Sequence, residues 1–218
     1  AHVSDLVICA GRTSQHIGSK EGITIFLIQA DSDGLSTRTL HDIAKEKTFE
    51  VVLREVKCKE DMILGIKDKG EDCLEDIISK AAVGICAMMV GAGQKVLEMV
   101  TDYAKQRHQF GRPIGSFQAV QHHCANMLVA VDSSKFITYK AAWKISQGLG
   151  CKKEASIAKV WVNEAYNQIV RLGHQVFGGV GYISEHDMSL FSRRAKIWQN
   201  SFGDEFYHRK IVARELGI

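Results

Sequence analysis

Apolar positions change their spacing near residue 70. Before it, short β-type runs are broken by turn signals. Leu6-Val7-Ile8-Cys9-Ala10 stops at Gly11, Ile23 to Ile28 stops at Asp31-Ser32-Asp33-Gly34, and Phe49 to Val56 mixes apolar with charged residues. With Ser36 to Leu40 as a further candidate, these runs predict three or four strands of an antiparallel sheet. So few strands make only part of a barrel or sandwich, and open sheet edges would need partners.

After residue 70 the period becomes helical. Leu74 to Gln106 holds no breaker beyond Gly84, Gly91 and Gly93, and Val96, Met99, Val100 and Tyr103 share one face. A second helix is expected from Phe117 to Gln147, with Val120, Cys124, Met127 and Val131 in one stripe, ended by Gly148 and Gly150. A third spans Lys153 to Phe177, with Ile157, Trp161, Ala165, Ile169, Leu172 and Val176 assigned to the core. Shorter helices follow over Asp187 to Trp198 and Asp204 to Leu216. Long helices with short connections predict an antiparallel bundle. The expected fold is therefore α+β: a partial antiparallel middle β domain over residues 1–70, then an antiparallel four-helix-type bundle over residues 71–218.

Composition narrows the class without choosing a function. Charged residues make up 24% and hydrophobic residues 45%, as in an ordinary soluble protein, and a net charge of +3 is too small to imply nucleic acid. Six cysteines are scattered without a C-x-x-C pair, which predicts reduced thiols and a cytoplasmic location. No apolar run reaches the ~20 residues of a membrane span. The chain opens at Ala1 without a methionine, so a fragment of a longer protein is expected.

Candidate chemistry lies where helices end. Arg107-His108-Gln109-Phe110-Gly111-Arg112-Pro113-Ile114 follows the first long helix and holds the only proline of the chain. Arg107 could donate charge-assisted hydrogen bonds to phosphate, and Phe110 could offer a ring face to a flat cofactor; a plain helix stop with solvated arginines is the alternative. Gln175-Val176-Phe177-Gly178-Gly179-Val180-Gly181-Tyr182 closes the third helix. It follows no strand, which excludes a dinucleotide-binding βαβ turn, but its glycines permit close backbone approach to a ligand. His122 and His123 are adjacent on a helix and point in different directions, so no metal site is expected.

Taken together these segments resemble the acyl-CoA dehydrogenase family. The resemblance rests on Tyr103 to Ile114, Phe117 to His122, Gln175 to Tyr182, Arg193-Arg194-Ala195-Lys196, and Gly203-Asp204 with His208-Arg209. It implies an FAD site shared between subunits of a homo- or hetero-oligomer, a dimer or tetramer. In that reading Arg107 meets the pyrophosphate, Gln109 and Phe110 approach the same FAD, and Gln175, Gly178 and Gly179 lie against its ADP half. The helices over Phe117 to Gln147 and Lys153 to Phe177 would build the assembly core. The implied reaction converts an acyl-CoA to the 2,3-enoyl-CoA: a carboxylate removes the α-proton, FAD takes a hydride from the β-carbon, and an acceptor such as electron-transferring flavoprotein takes the electrons.

The chain departs from the family where the proton is taken. The usual glutamate position holds Phe202, and the alternative position on the first long helix holds Ala81, followed by Ala82. Asp204 is a weak candidate for a displaced base, set against a role as helix N-cap. Phe206 stands where the family has glutamine. Two other readings follow: a non-catalytic or partner-dependent subunit of a heteromeric dehydrogenase, and a flavin-dependent monooxygenase of the same fold.

Overall fold

A computed structural model describes residues 3–14 and 22–218, which fall into two compact units meeting in sequence at Ile78 and Ser79. In the first unit β1 (Leu6–Arg12) pairs antiparallel with β2 (Ile23–Gln29), from Leu6 opposite Gln29 to Arg12 opposite Ile23. The short β5 (Ile63–Leu64) lies on the other edge of β2. β3 (Leu35–Leu40) and β4 (Thr48–Leu53) form a separate two-stranded ribbon. The strands thus belong to two sheets, where the periodicity predicts one, and β4 stops at Leu53, short of Val56. Ile25 and Ile28 fill the small core beside β2. The buried Thr24 hydroxyl lies 2.6 Å from that of Thr13 and accepts from the Asp68 N–H at 2.8 Å, which ties the strand pair to the following loop.

The second unit is helical and is organised around one buried helix. α1 (Glu71–Gln106) enters it from the first unit; α2 (Gln118–Ser146), α3 (Lys152–Phe177), α4 (Met188–Asn200) and α5 (Glu205–Glu215) follow. α3 is central because apolar or small residues recur on most of its circumference: Ala155, Ala158, Val162, Ala165, Tyr166, Ile169, Leu172 and Val176 are all buried. α2 turns back through Gln147–Cys151 and packs antiparallel on it. α1 runs parallel to α3, as paired contacts advance together. Gly93 faces Ile169, Val96 faces Gly173, and the Tyr103 ring meets Phe177 with centroids 4.8 Å apart. A methyl on Gly93 would sit 3.1 Å from Ile169 Cδ1, so the helices approach closely there.

Trp161 corrects the expected core face of α3. It is 43% exposed, and its indole N–H donates to Ser133 Oγ at 3.1 Å, while Ala158 and Val162 take the buried positions. The apolar pattern alone could not tell which of two adjacent stripes faces in. All six cysteines are free. Among the described residues no helix is long and apolar enough to cross a membrane, and no group of metal-ligating side chains comes together. α2 leaves Val129, Phe136, Tyr139 and Trp143 uncovered, a stripe of large side chains repeating about every heptad.

Candidate functional site

The arginine segment is a tight hairpin, a finer structure than the helix stop its sequence suggests. Arg107 N–H donates to Tyr103 O at 2.8 Å and closes α1, while Ile114 N–H donates to Arg107 O at 2.8 Å and clamps the base of the loop. Between them β6 (His108–Gln109) pairs with β7 (Arg112–Pro113). Phe110 and Gly111 form the two-residue turn with φ of 53° and 77°, the doubly positive pattern that matches strand twist in short hairpins. Phenylalanine is an unusual occupant of a left-handed position. Its ring is 91% exposed and edge-on to Phe117, with centroids 6.0 Å apart.

The two arginines differ in their surroundings. The Arg112 guanidinium lies 4.2 Å from the centre of the Phe117 ring and is held there. The exposed Arg107 side chain has no ion pair or hydrogen bond among the described residues. Gln109 folds back, its amide donating to His108 O at 2.9 Å.

The glycine segment ends α3 at the same pole of the unit. Gly178 has φ 62° and its N–H returns to His174 O. A β-carbon on Gly178 or Gly179 would meet open space, whereas one on Gly181 would lie 2.9 Å from Phe177 Cβ. Gly181 is thus required by packing, and the first two leave backbone open to an approaching ligand. Gln175 is exposed on the last turn of α3. The Tyr103–Phe177 contact joins the arginine and glycine segments. Behind them His174 stacks on Tyr182 at 4.4 Å, and burial, with the nearby His186 charge, holds its pKa below the ordinary histidine value.

A second polar cluster occupies the other end of α3. The Lys159 ammonium is 0% exposed and donates to Trp198 O at 2.8 Å, to Gln199 O at 3.0 Å and to Asn163 Oδ1 at 3.0 Å. These carbonyls end α4, where a cation is also favoured by the helix dipole. Burial pulls the Lys159 pKa down to about 8 and pushes the neighbouring Cys86 thiol up to about 12. Beyond α4 the chain turns sharply, with φ of 56° at Phe202 and 103° at Gly203. Phe202 O accepts from His208 Nε2 at 3.0 Å, so His208 Nδ1, 3.1 Å from Ser156 Oγ, is left to accept the serine proton. Burial keeps His208 toward the neutral form that this arrangement requires.

Asp204 serves the helix that follows. Its Oδ1 accepts the Tyr207 N–H at 2.8 Å, the bond of an N-cap. Phe202 is 47% exposed and Phe206 is also exposed on the first turn of α5. Ala81 lies near the start of the helical unit on α1, the end at which Cys86 approaches Lys159. Gln175 is sixteen residues beyond Lys159 on one helix. At the rise of an α-helix that separation is about 24 Å. The arginine and glycine segments therefore gather at one pole, with Phe202 and Asp204 at the other. His208, expected to pack or lie at an interface, is buried. The pattern along the chain does not single out Lys159; the signal is a lysine among small and apolar residues at Ser156, Lys159 and Asn163, one buried stripe of α3.

Comparison with known proteins gives a consistent result. Residues 68–217 match the family model described as acyl-CoA dehydrogenase, C-terminal domain. The chain is 32% identical to a 3-(aryl)acrylate reductase of Clostridium sporogenes, over 99% of this chain and 58% of that protein. It is 33% identical to a mitochondrial isovaleryl-CoA dehydrogenase of Solanum tuberosum, over 97% of this chain and 52% of that protein. The structure of butyryl-CoA dehydrogenase from Megasphaera elsdenii superposes with a TM-score of 0.93 at 27% identity, covering 100% of this chain and 57% of that one. The chain thus spans little more than half the length of the relatives it matches.

Proposed function

This chain belongs to the acyl-CoA dehydrogenase family, and from that premise we propose that it is the C-terminal part of a flavin-dependent acyl-CoA dehydrogenase. The observation that carries the proposal is the pole formed by the Arg107 hairpin and the Gly178–Gly179 turn. Its residues fit FAD. Arg107 offers guanidinium donors that no other described side chain engages, Phe110 offers a bare ring, and the two glycines offer backbone without a β-carbon in the way. Arg107 would hold the pyrophosphate, Gln109 and Phe110 would border the cofactor, and Gln175, Gly178 and Gly179 would receive its adenosine half.

Bound FAD would supply the hydride acceptor for conversion of an acyl-CoA to its 2,3-enoyl-CoA, with an acceptor such as electron-transferring flavoprotein taking the electrons onward. The chain's own part is to bind, orient and assemble. The two poles of α3 lie about 24 Å apart, which supports a site completed between subunits: the ADP grip and the Phe202 turn would serve different copies of the cofactor. The uncovered Val129, Phe136, Tyr139 and Trp143 stripe on α2 supports the same oligomeric reading.

Removal of the α-proton needs a group that neither Phe202 nor Ala81 supplies. Asp204 is committed to the α5 N-cap, which argues against it as the base. Those positions favour a second reading, a partner-dependent subunit whose companion brings the carboxylate. Anaerobic addition of a panel of acyl-CoAs to the FAD-loaded protein tests both. Residues 1–218 alone are expected to be inactive; bleaching by the longer parent protein supports the first reading, and bleaching only after a related chain is added supports the second. Loss of neither flavin colour nor acyl-CoA under both conditions would reject the dehydrogenase proposal.

A further inference from the structure

We propose that Lys159 is a positioning residue for the Ser201–Asp204 turn, which it locks so that the Phe202 ring forms a fixed apolar wall of the acyl site. The placing of Phe202 at that site rests on the family reading above; the lock rests on geometry alone. Two left-handed residues in succession, Phe202 at 56° and Gly203 at 103°, persist only where their surroundings determine them. Here the turn is gripped from both sides. On its N-terminal side the buried Lys159 ammonium gathers Trp198 O and Gln199 O, and Asn163 Nδ2 adds a second donor to Gln199 O at 3.1 Å. Asn167 Nδ2 holds the Gln199 side chain at 3.1 Å. On its C-terminal side His208, fixed by Ser156, donates to Phe202 O itself, and Asp204 caps α5.

Apart from Asp204 and His208, which belong to the turn and to α5, the anchoring side chains come from one stripe of α3: Ser156, Lys159, Asn163 and Asn167. One rigid helix therefore sets both flanks of the turn. A single packed element with charge-assisted donors is a means of orienting one side chain, and the side chain so oriented is Phe202, which is left 47% exposed.

Amide hydrogen exchange of the full chain tests the lock. K159M is expected to speed exchange across residues 199–207 at least tenfold, with α2 exchanging as in the unsubstituted protein. S156A, which removes only the hydroxyl that directs His208, is expected to speed residues 202–208 at least threefold and stands in if K159M does not fold. Uniform acceleration in all helices, or none in the turn, overturns the positioning role. The ligand half is read separately from the Kd for butyryl-CoA of the FAD-loaded protein. F202A and K159M are each expected to shift it at least fivefold. An accelerated turn with an unshifted Kd in F202A would overturn the placing of Phe202 at the acyl site and leave the lock standing.

Discussion

Gly203→Ala isolates the strain in the turn. Its φ of 103° lies beyond the small left-handed basin open to alanine, and this alone costs about 1–3 kcal/mol. The added β-carbon would also lie 2.4 Å from Tyr207 Cδ1 and 2.9 Å from His208 Nε2. Tyr207 can swing outward, giving up roughly 1 kcal/mol of half-buried ring contact. His208 cannot move without releasing Phe202 O or Ser156, a loss of about 1 kcal/mol for each bond. The total expected is about 3–5 kcal/mol. Urea unfolding followed by helical circular dichroism should therefore lose well over a molar in midpoint, since m is about 1–3 kcal/mol per molar for small proteins. Gly179→Ala is the control: its β-carbon would meet open space, and a change within about 0.5 kcal/mol is expected. A Gly203→Ala loss below about 1 kcal/mol, with unchanged m, would refute the claim that the turn is tightly held.

Asp204→Ala should cost about 1 kcal/mol by thermal unfolding, while Asp204→Asn, an equally good N-cap, should cost little, a pattern opposite to that of an essential base. Both His174 and His208 have pKa values depressed by burial, so the unfolded chain binds more protons than the folded one below about pH 6.5. Stability present above that pH should fall as the medium is acidified through the folded pKa values, and His208→Gln should flatten part of the fall in urea midpoint. Phe202→Glu should raise the rate of flavin bleaching by butyryl-CoA at least about a hundredfold, read by stopped-flow absorbance, if the missing carboxylate limits the reaction.

The helices were legible because their apolar period runs unbroken for many turns, and the arginine and glycine segments because glycine, proline and paired arginines mark helix ends. What stayed hidden was set by tertiary contact. The split of the strands into two sheets depends on which partner each edge finds, and short apolar runs carry no record of that. Trp161 sits one position from a buried stripe, and the choice between stripes was made by Ser133 and the helices around α3. The Phe110–Gly111 turn reads as a loop because phenylalanine is rarely left-handed. Lys159 reads as a surface cation by its type. Only the carbonyls at the end of α4, forty residues away in the chain, make it a core residue.

The central claim is that the Arg107 hairpin grips the phosphates of FAD. The direct measurement is the FAD dissociation constant of the unsubstituted protein and of Arg107→Ala, compared by equilibrium dialysis with both proteins shown to be equally folded. Arg107 is exposed and makes no bond to a described side chain, so its removal should leave stability unchanged. Loss of charge-assisted bonds worth about 1.5–3 kcal/mol should weaken FAD by roughly tenfold to a hundredfold. An Arg107→Ala protein that holds FAD as tightly as the unsubstituted chain would contradict the account.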